Sequence, residues 1–428
     1  MGTSINTTTK PEQVQKRAWF LDLNRAEKST LVATFGGWGL DGLDVMVYPF
    51  LISTLMALWH ISPGQAGLLG TATLLISALG GWIAGLLSDK YGRTRVLQWT
   101  VIWFSVFTFL SGFTTSFWQL LVTRGLQGLG FGGEWAVGAV LMGETIRPQY
   151  RGKAVGTVQS GWAIGWAMAA IFYMVLFKLM PPETAWRGMF WIGILPAFLV
   201  FYIRRFVPEP DVFAKTKKQM ESKGETSHFL EIFSPGMLRT TLLTSLLATG
   251  CQGGYYAITT FLPTFLKTVR KLSVLNTGAY TFVAIGGAFA GYLVGAYLAD
   301  YLGRRRSLIL YATCSAITVA CYTFLPISNG VMLVLGFPLG FFVSGSFSPI
   351  GSFFTELFPS RLRGSGQGFA YNFGRGVGAL FPTLVGYLAV RITLGKAIAV
   401  FGVAAYLVMI VAVLLLPETK GKELKAYE

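Results

Sequence analysis

The chain has 428 residues, 53% of them hydrophobic and 13% charged, against about 45–50% and about 25% in an ordinary soluble domain. This excludes a soluble globular enzyme and predicts an all-α, multi-pass membrane protein in contact with membrane lipid. The formal charge of +16 would suggest nucleic acid in a soluble chain. Basic residues in a membrane protein instead collect in cytoplasmic loops and orient the spans, so no nucleic-acid partner is expected.

The first thirty residues are polar and carry Lys10, Lys16, Arg17, Arg25 and Lys28. They lack the apolar core and cleavage site of a signal peptide, so residues 1–29 are expected to form a cytoplasmic segment. A spanning helix needs about 20 mostly apolar residues, and such runs follow at 30–58, 64–87, 96–115, 117–143, 153–177 and 188–206. The longest polar stretch, Pro208 to Met237, contains AKTKKQMESKGETSHFLEIF and reads as a cytoplasmic linker. Six further runs lie at 238–266, 275–299, 307–326, 331–355, 365–390 and 395–416. The predicted organisation is a bundle over 30–207, a linker over 208–237, a second bundle over 238–416 and a cytoplasmic tail over 417–428.

With residue 1 inside, the outer segments hold only Lys178, Arg187, Lys267, Arg270, Lys271, Arg391 and Lys396, and Arg124 and Arg375 lie within spans. All other basic residues fall on the inner side. Both termini are therefore expected in the cytoplasm, and the protein in the cytoplasmic (inner or plasma) membrane.

The loops repeat. GLLSDKYGRTR, with Asp89, Gly92, Arg93 and Arg95, precedes AYLADYLGRRR, with Asp300, Gly303, Arg304 and Arg306, at a constant offset of 211. ETIRPQYRG, with Glu144 and Arg151, precedes ELFPSRLRG, with Glu356 and Arg363, at an offset of 212. Two independent pairs at nearly one offset indicate a duplicated six-helix unit.

The run from Gly85 to Arg95 resembles the loop signature of the major facilitator superfamily. With its second copy, the paired Glu and Arg-Gly motifs and the terminal PETKGKEL, the resemblance covers essentially the whole chain. It implies twelve transmembrane helices in two pseudo-symmetric six-helix bundles around a central cavity, with access alternating as the halves rock. It also implies a conformational latch at Asp89, Gly92, Arg93, Glu144, Arg151, Asp300, Gly303, Arg304, Glu356 and Arg363. In physical terms the acids can accept from arginines and helix N-termini, and the two glycines permit tight turns. The alternative is that these residues only fix topology.

An ionisable group at bilayer depth is by default a functional hypothesis. Asp41 and Asp44, in GGWGLDGLDVMVYPF, lie roughly 16–21 Å along the first span. Their i,i+3 spacing puts them on one face, where two carboxylates are hard to ionise together in a low dielectric. Arg124 lies roughly 10 Å inside the far end of span 4, and Arg375 roughly 16 Å into span 11. One midplane cation from each half is what an anionic substrate would need. Arg124 can alternatively pair permanently with Asp41 or Asp44, and Glu134 can carry a proton or merely support the glycine-rich stretch around it. Arg375 has no acid at its depth in the second half, which favours an anion, and Asn372 one turn away can add a hydrogen bond.

Tyr48, Gln159, Gln252, Tyr255, Tyr256 and Tyr371 lie at similar depth and can line the cavity or pack between helices. His60 and His228 are the only histidines and neither is near the midplane, so proton coupling must use carboxylates. Cys251, Cys314 and Cys321 sit in apolar runs, against a disulfide framework. No metal-ligand cluster, phosphate loop or nucleophile–base pair is present, so neither cofactor nor enzymatic activity is expected.

DGLD at Asp41 to Asp44 resembles the first-span signature of proton symporters for aromatic acids and for sialate or lactate-type acids. GGEW in span 4 and NFGR in span 11 are similar to the sialate and monocarboxylate branch. The resemblance implies a monomeric secondary transporter that imports an organic anion with protons. PETKGKEL is similar to sugar porters, although TGCQGGYY has one glutamine where those have a pair. A proton-coupled carrier of a sugar or other neutral solute, or an exporter of amphipathic cations, therefore remains an alternative.

Overall fold

The computed structural model describes residues 19–147, 151–209, 229–358 and 363–420, which contain no β-strand. The first half comprises α1 (Arg25–Trp59), α2 (Pro63–Tyr91), α3 (Arg93–Ser111), α4 (Phe117–Thr145), α5 (Arg151–Leu179), α6 (Pro182–Trp191) and α7 (Pro196–Phe206). The second comprises α8 (Pro235–Thr264), α9 (Val274–Leu302), α10 (Arg304–Phe324), α11 (Asn329–Gly345), α12 (Ser348–Leu357), α13 (Arg363–Gly378), α14 (Leu380–Ala389) and α15 (Leu394–Leu415). The pairs α6–α7, α11–α12 and α13–α14 are each one crossing broken by a turn, giving twelve crossings in two bundles of six. The expected linker falls largely on 210–228, outside the described residues.

Eight helical stretches among the described residues are long and apolar enough to cross a membrane, and α3, α4, α8 and the α13–α14 pair are not among them. Three of these four exceptions carry the buried polar groups described below, which lower their hydropathy. They are tolerated because other helices, rather than lipid, surround those groups.

Helix starts are set by side-chain caps. Asn24 accepts from the Glu27 amide at 2.9 Å while Glu27 accepts from the Asn24 amide at 2.9 Å, a reciprocal cap that begins the first helix at Arg25 rather than residue 30. Glu27 also accepts from Arg147 Nε at 2.9 Å, so the polar RAEKS turn is held against the end of α4. The sixth crossing begins at Pro182 rather than 188 for a related reason. Arg187 donates to the carbonyls of Gly112 and Thr114, both at 2.8 Å, and its guanidinium lies 4.3 Å from the Trp186 ring.

The helices that follow the two repeated loops share a further device. Gly92 and Gly303 have φ of 101° and 95°, a region open to glycine. The next amides then point at an acid from the end of the same half. Glu209 accepts from the amides of Arg93 and Thr94, and Glu418 accepts from those of Arg304 and Arg305 at 3.0 and 3.2 Å. A Pro-Glu pair thus closes each six-helix unit on the N-terminus of its own third helix, where the helix dipole favours an anion. We call the face carrying these loops the basic face and its opposite the far face.

Within each half, backbones approach closely through small residues, as association in lipid requires. A Cβ on Gly132 of α4 would collide with the Ser77 carbonyl of α2, and one on Gly374 of α13 would collide with Ala248 of α8. Between halves, the Thr71 hydroxyl of α2 meets the Ala379 carbonyl and Thr383 of α14 toward the far face. Met174 of α5 fills the space beside Gly278 of α9. Replacement of Gly132 by Leu is expected to force α2 from α4 and destabilise the fold by about 1–3 kcal/mol. Thermal melting in detergent measures this, and an unchanged melting temperature would show that the close approach is dispensable.

Candidate functional site

Five ionisable residues singled out from the sequence are buried within the molecule. Asp41, Asp44, Arg124, Glu134 and Arg375 are all at most 2% exposed, so the two halves close over them. They form two separate groups.

The first lies wholly in the first half. Gln127 of α4 donates from Nε2 to Asp44 Oδ2, and Arg124 Nη1 donates to Gln127 Oε1 at 2.7 Å. Arg124 and Asp44 therefore meet through an amide rather than directly. The Arg124 guanidinium lies 4.9 Å from the Tyr48 ring centroid, and the Tyr48 hydroxyl donates to the Ala66 carbonyl at 2.5 Å. Asp44 faces Thr108 of α3 and the turn at Gly193 between α6 and α7, which places it among helices of its own bundle.

The second group spans the seam between the halves. Asp41 is one turn before Asp44 but faces Glu134, with Arg375 of the other half nearby. Neither Asp41 oxygen receives a hydrogen bond. Glu134 sits against Gly37 of α1, where a Cβ would collide with its carboxylate; only glycine leaves that space. Arg375 lies 5.1 Å from the Phe131 ring of α4 and 5.3 Å from the Tyr371 ring of α13. Its guanidinium is thus sandwiched between aromatic residues of opposite halves. Its Nε and Nη1 have no hydrogen-bond partner, and Tyr256 and Tyr371 stand beside it.

Around this centre, Gln252 Nε2 donates to the Tyr371 carbonyl at 2.8 Å and the Tyr256 hydroxyl donates to Gln252 Oε1 at 3.2 Å. Trp162 Nε1 of α5 donates to the Tyr255 hydroxyl of α8 at 2.7 Å, a hydrogen bond across the seam. Trp38 and Phe131 pack on Trp162 at 4.9 and 6.0 Å, and Phe347 packs on Tyr255 at 5.3 Å. Gln159 is also buried.

Asn372 is not joined to Arg375. Its Nδ2 donates to the Gly368 carbonyl at 3.0 Å and its Oδ1 is turned to Gly81 of α2. Tyr48 belongs to the Arg124 group rather than to the seam. Gln127, Phe131, Trp38 and Trp162 were not singled out from the sequence. Gln127 had a legible signal, standing at i+3 from a buried arginine. The aromatic residues had none, because their neighbours come from distant parts of the chain.

At the basic face, Arg304 pairs with Glu356 at 2.9 Å, and the Thr419 hydroxyl donates to Glu356 at 2.5 Å. Both contacts lie within the second half. The side chains of Asp89, Glu144, Arg151, Asp300 and Arg363 lie outside the described residues. No group of His, Cys, Asp and Glu able to hold a metal ion occurs among the described residues.

A family model described as Major Facilitator Superfamily matches residues 33–382 and 281–427. The chain is 42% identical to a probable 4-methylmuconolactone transporter of Cupriavidus pinatubonensis, over 94% of each chain. It is 30% identical to the cis,cis-muconate transport protein of Acinetobacter baylyi, over 89% of this chain and 92% of the other. The solved proton:xylose symporter XylE superposes with a TM-score of 0.73 at 19% identity, covering 93% of this chain and 98% of that one. This last likeness concerns the fold.

Breaking the Asp44–Gln127–Arg124 relay from either end leaves a buried charge without its counterpart. Asp44→Asn and Arg124→Gln are each expected to destabilise the protein by about 3–5 kcal/mol. The double variant should lose less than their sum. Melting in detergent measures all three, and strict additivity would show that the two charges are not coupled.

Proposed function

The chain belongs to the Major Facilitator Superfamily, and we propose that it is a secondary active transporter importing a small organic anion together with protons. The observation that carries this reading is Arg375, which is 1% exposed and has two guanidinium nitrogens without partners. An arginine cannot shed its charge, and a buried cation is expensive unless an anion meets it. A substrate carboxylate meets that need with a two-pronged hydrogen bond. Relatives named for carriage of a muconolactone and of muconate support such a substrate. Other organic acids, among them sialate, lactate-like and aromatic acids, belong to the same chemical class.

Proton coupling follows from the position of Asp41 and Glu134. Two carboxyl groups packed together in a low dielectric favour holding a proton between them. When both are ionised they compete with the substrate for Arg375; when protonated they release it. Loading proton and anion together leaves the seam with little net charge, so the halves can rock about it and expose the site to the other side. Asp44, engaged by Gln127, and Arg124 act in this scheme as a strut inside the first bundle. The basic face, with both termini, is cytoplasmic on the positive-inside rule. The contacts of Arg304, Glu356, Glu209 and Glu418 hold each bundle rigid there as the halves move.

A carrier of a neutral solute is the competing reading, favoured by the PETKGKEL tail and by the sugar-binding occupant of the XylE fold. The decisive measurement is external pH around proteoliposomes as muconate, other organic acids and xylose are added in turn. Alkalinisation with an organic acid is expected. A response to xylose alone would overturn the anion reading.

Arg375→Lys keeps the charge but loses the planar fork. Losing a charge-assisted hydrogen bond is worth about 1.5–3 kcal/mol, so anion uptake should fall at least about tenfold. Asp41→Asn and Glu134→Gln should retain anion exchange while losing proton movement. Unimpaired uptake by Arg375→Lys would remove that residue from the site.

A further inference from the structure

We propose that the first half binds the headgroup of an anionic phospholipid in a groove on the basic face, between the N-terminus of α3 and the C-terminus of α7. The groove has a volume of about 660 Å³ and is lined by Thr94, Arg95, Gln98, Trp99, Arg204 and Glu209. It lies well away from the buried seam, and the transport reading does not depend on it.

Its charge is unbalanced. Glu209 is the only acid in the lining, and both its oxygens are taken by the amides of Arg93 and Thr94. Its negative charge is thus committed to the α3 N-terminus. Arg95 and Arg204 have no hydrogen bond or ion pair with any described residue. Two guanidinium groups opening on one groove whose single carboxylate is already engaged form a site for an anion with several oxygens, such as a phosphate diester.

The surroundings show why the phosphate belongs to a lipid. Trp99 is 46% exposed and packs on the exposed Tyr91 ring at 5.6 Å. Indole and phenol rings of this kind settle at the headgroup level of a bilayer. One turn and two turns further along α7, Phe201 and Phe198 are exposed at 71% and 62%, as expected of side chains facing acyl chains. The groove therefore presents a cation pair at its polar rim and an apolar, lipid-facing wall running from it into the membrane. Basic pockets of this type at the ends of membrane helices bind acidic headgroups.

The second half provides an internal comparison. It repeats the cap, with Glu418 on the amides of Arg304 and Arg305, so the cap alone does not require the groove's cations. At the offset of 209 set by the two Pro-Glu pairs, Arg204 and Arg205 correspond to Val413 and Leu414. At the loop offset of 211, Gln98 and Trp99 correspond to Ile309 and Leu310. The fold is built without these groups in one half and carries them in the other.

The test uses purified full-length protein in detergent, titrated with dioleoyl phosphatidylglycerol, with phosphatidylcholine of the same chains, and with inorganic phosphate. Native mass spectrometry counts bound lipid and thermal melting reads its effect. Phosphatidylglycerol is expected to bind and to raise the melting temperature, while the other two do neither. Arg95→Gln and Arg204→Val should each weaken phosphatidylglycerol binding about fivefold, matching about 1 kcal/mol per arginine at a membrane surface. Arg306→Gln, at the matching position of the second half, should leave it unchanged. The Arg95→Lys/Arg204→Lys pair keeps both charges and should retain binding, which separates loss of charge from loss of fold. Equal binding of the two lipids, a response to phosphate matching that to phosphatidylglycerol, or undiminished binding by the Arg95→Gln/Arg204→Val double variant would each overturn the proposal.

Discussion

An arginine held in a membrane-embedded seam keeps its charge, so the charge on Arg375 has to be met from within the seam. Most of what surrounds it follows from that constraint. Phe131 and Tyr371 flank the guanidinium from opposite halves, offering the partial compensation of a ring face without a fixed counter-ion. The carboxyl groups of Asp41 and Glu134 approach it from the other half. The guanidinium and these carboxyl groups thus belong to different halves of the molecule. In the transport cycle proposed above, such an arrangement would let a proton and an anion act on the same equilibrium.

The contrast with Arg124 sharpens the point. Arg124 and Asp44 are equally buried, yet their connection runs through Gln127 inside one bundle, so it does not cross the seam. Two equally buried arginines thus fall into different physical classes, one bound within a single bundle and one at the seam between two. The aromatic packing around Trp162 and Tyr255 adds a second contact between the halves, since their hydrogen bond crosses the seam.

The ends of the bundles obey a different logic. Each half closes on itself when the acid of a Pro-Glu pair caps the helix that follows its repeated loop. The positive φ of Gly92 and Gly303 aims those amides. This internal closure ties the end of each set of six crossings to its own third helix. Arg95 and Arg204 at this face take no part in that closure.

The sequence by itself determined the class of the protein, the twelve crossings and the duplication, because hydrophobic run length and loop repeats are local properties of a chain. It also singled out ionisable residues that the structure buries, since position within an apolar run is a count along the chain. Helix starts at Arg25 and Pro182 differed from the apolar boundaries because caps and the clamp of Arg187 extend helices through polar residues. Only the tertiary structure decided that Asp41 and Asp44, one turn apart on one face, serve different neighbours. It alone separated the Arg124 relay from the seam, turned Asn372 toward α2, and brought Phe131 and Trp162 to the centre. Each of those outcomes depends on helix rotation and on which helix packs against which, and neither is encoded in the order of residues along any single span.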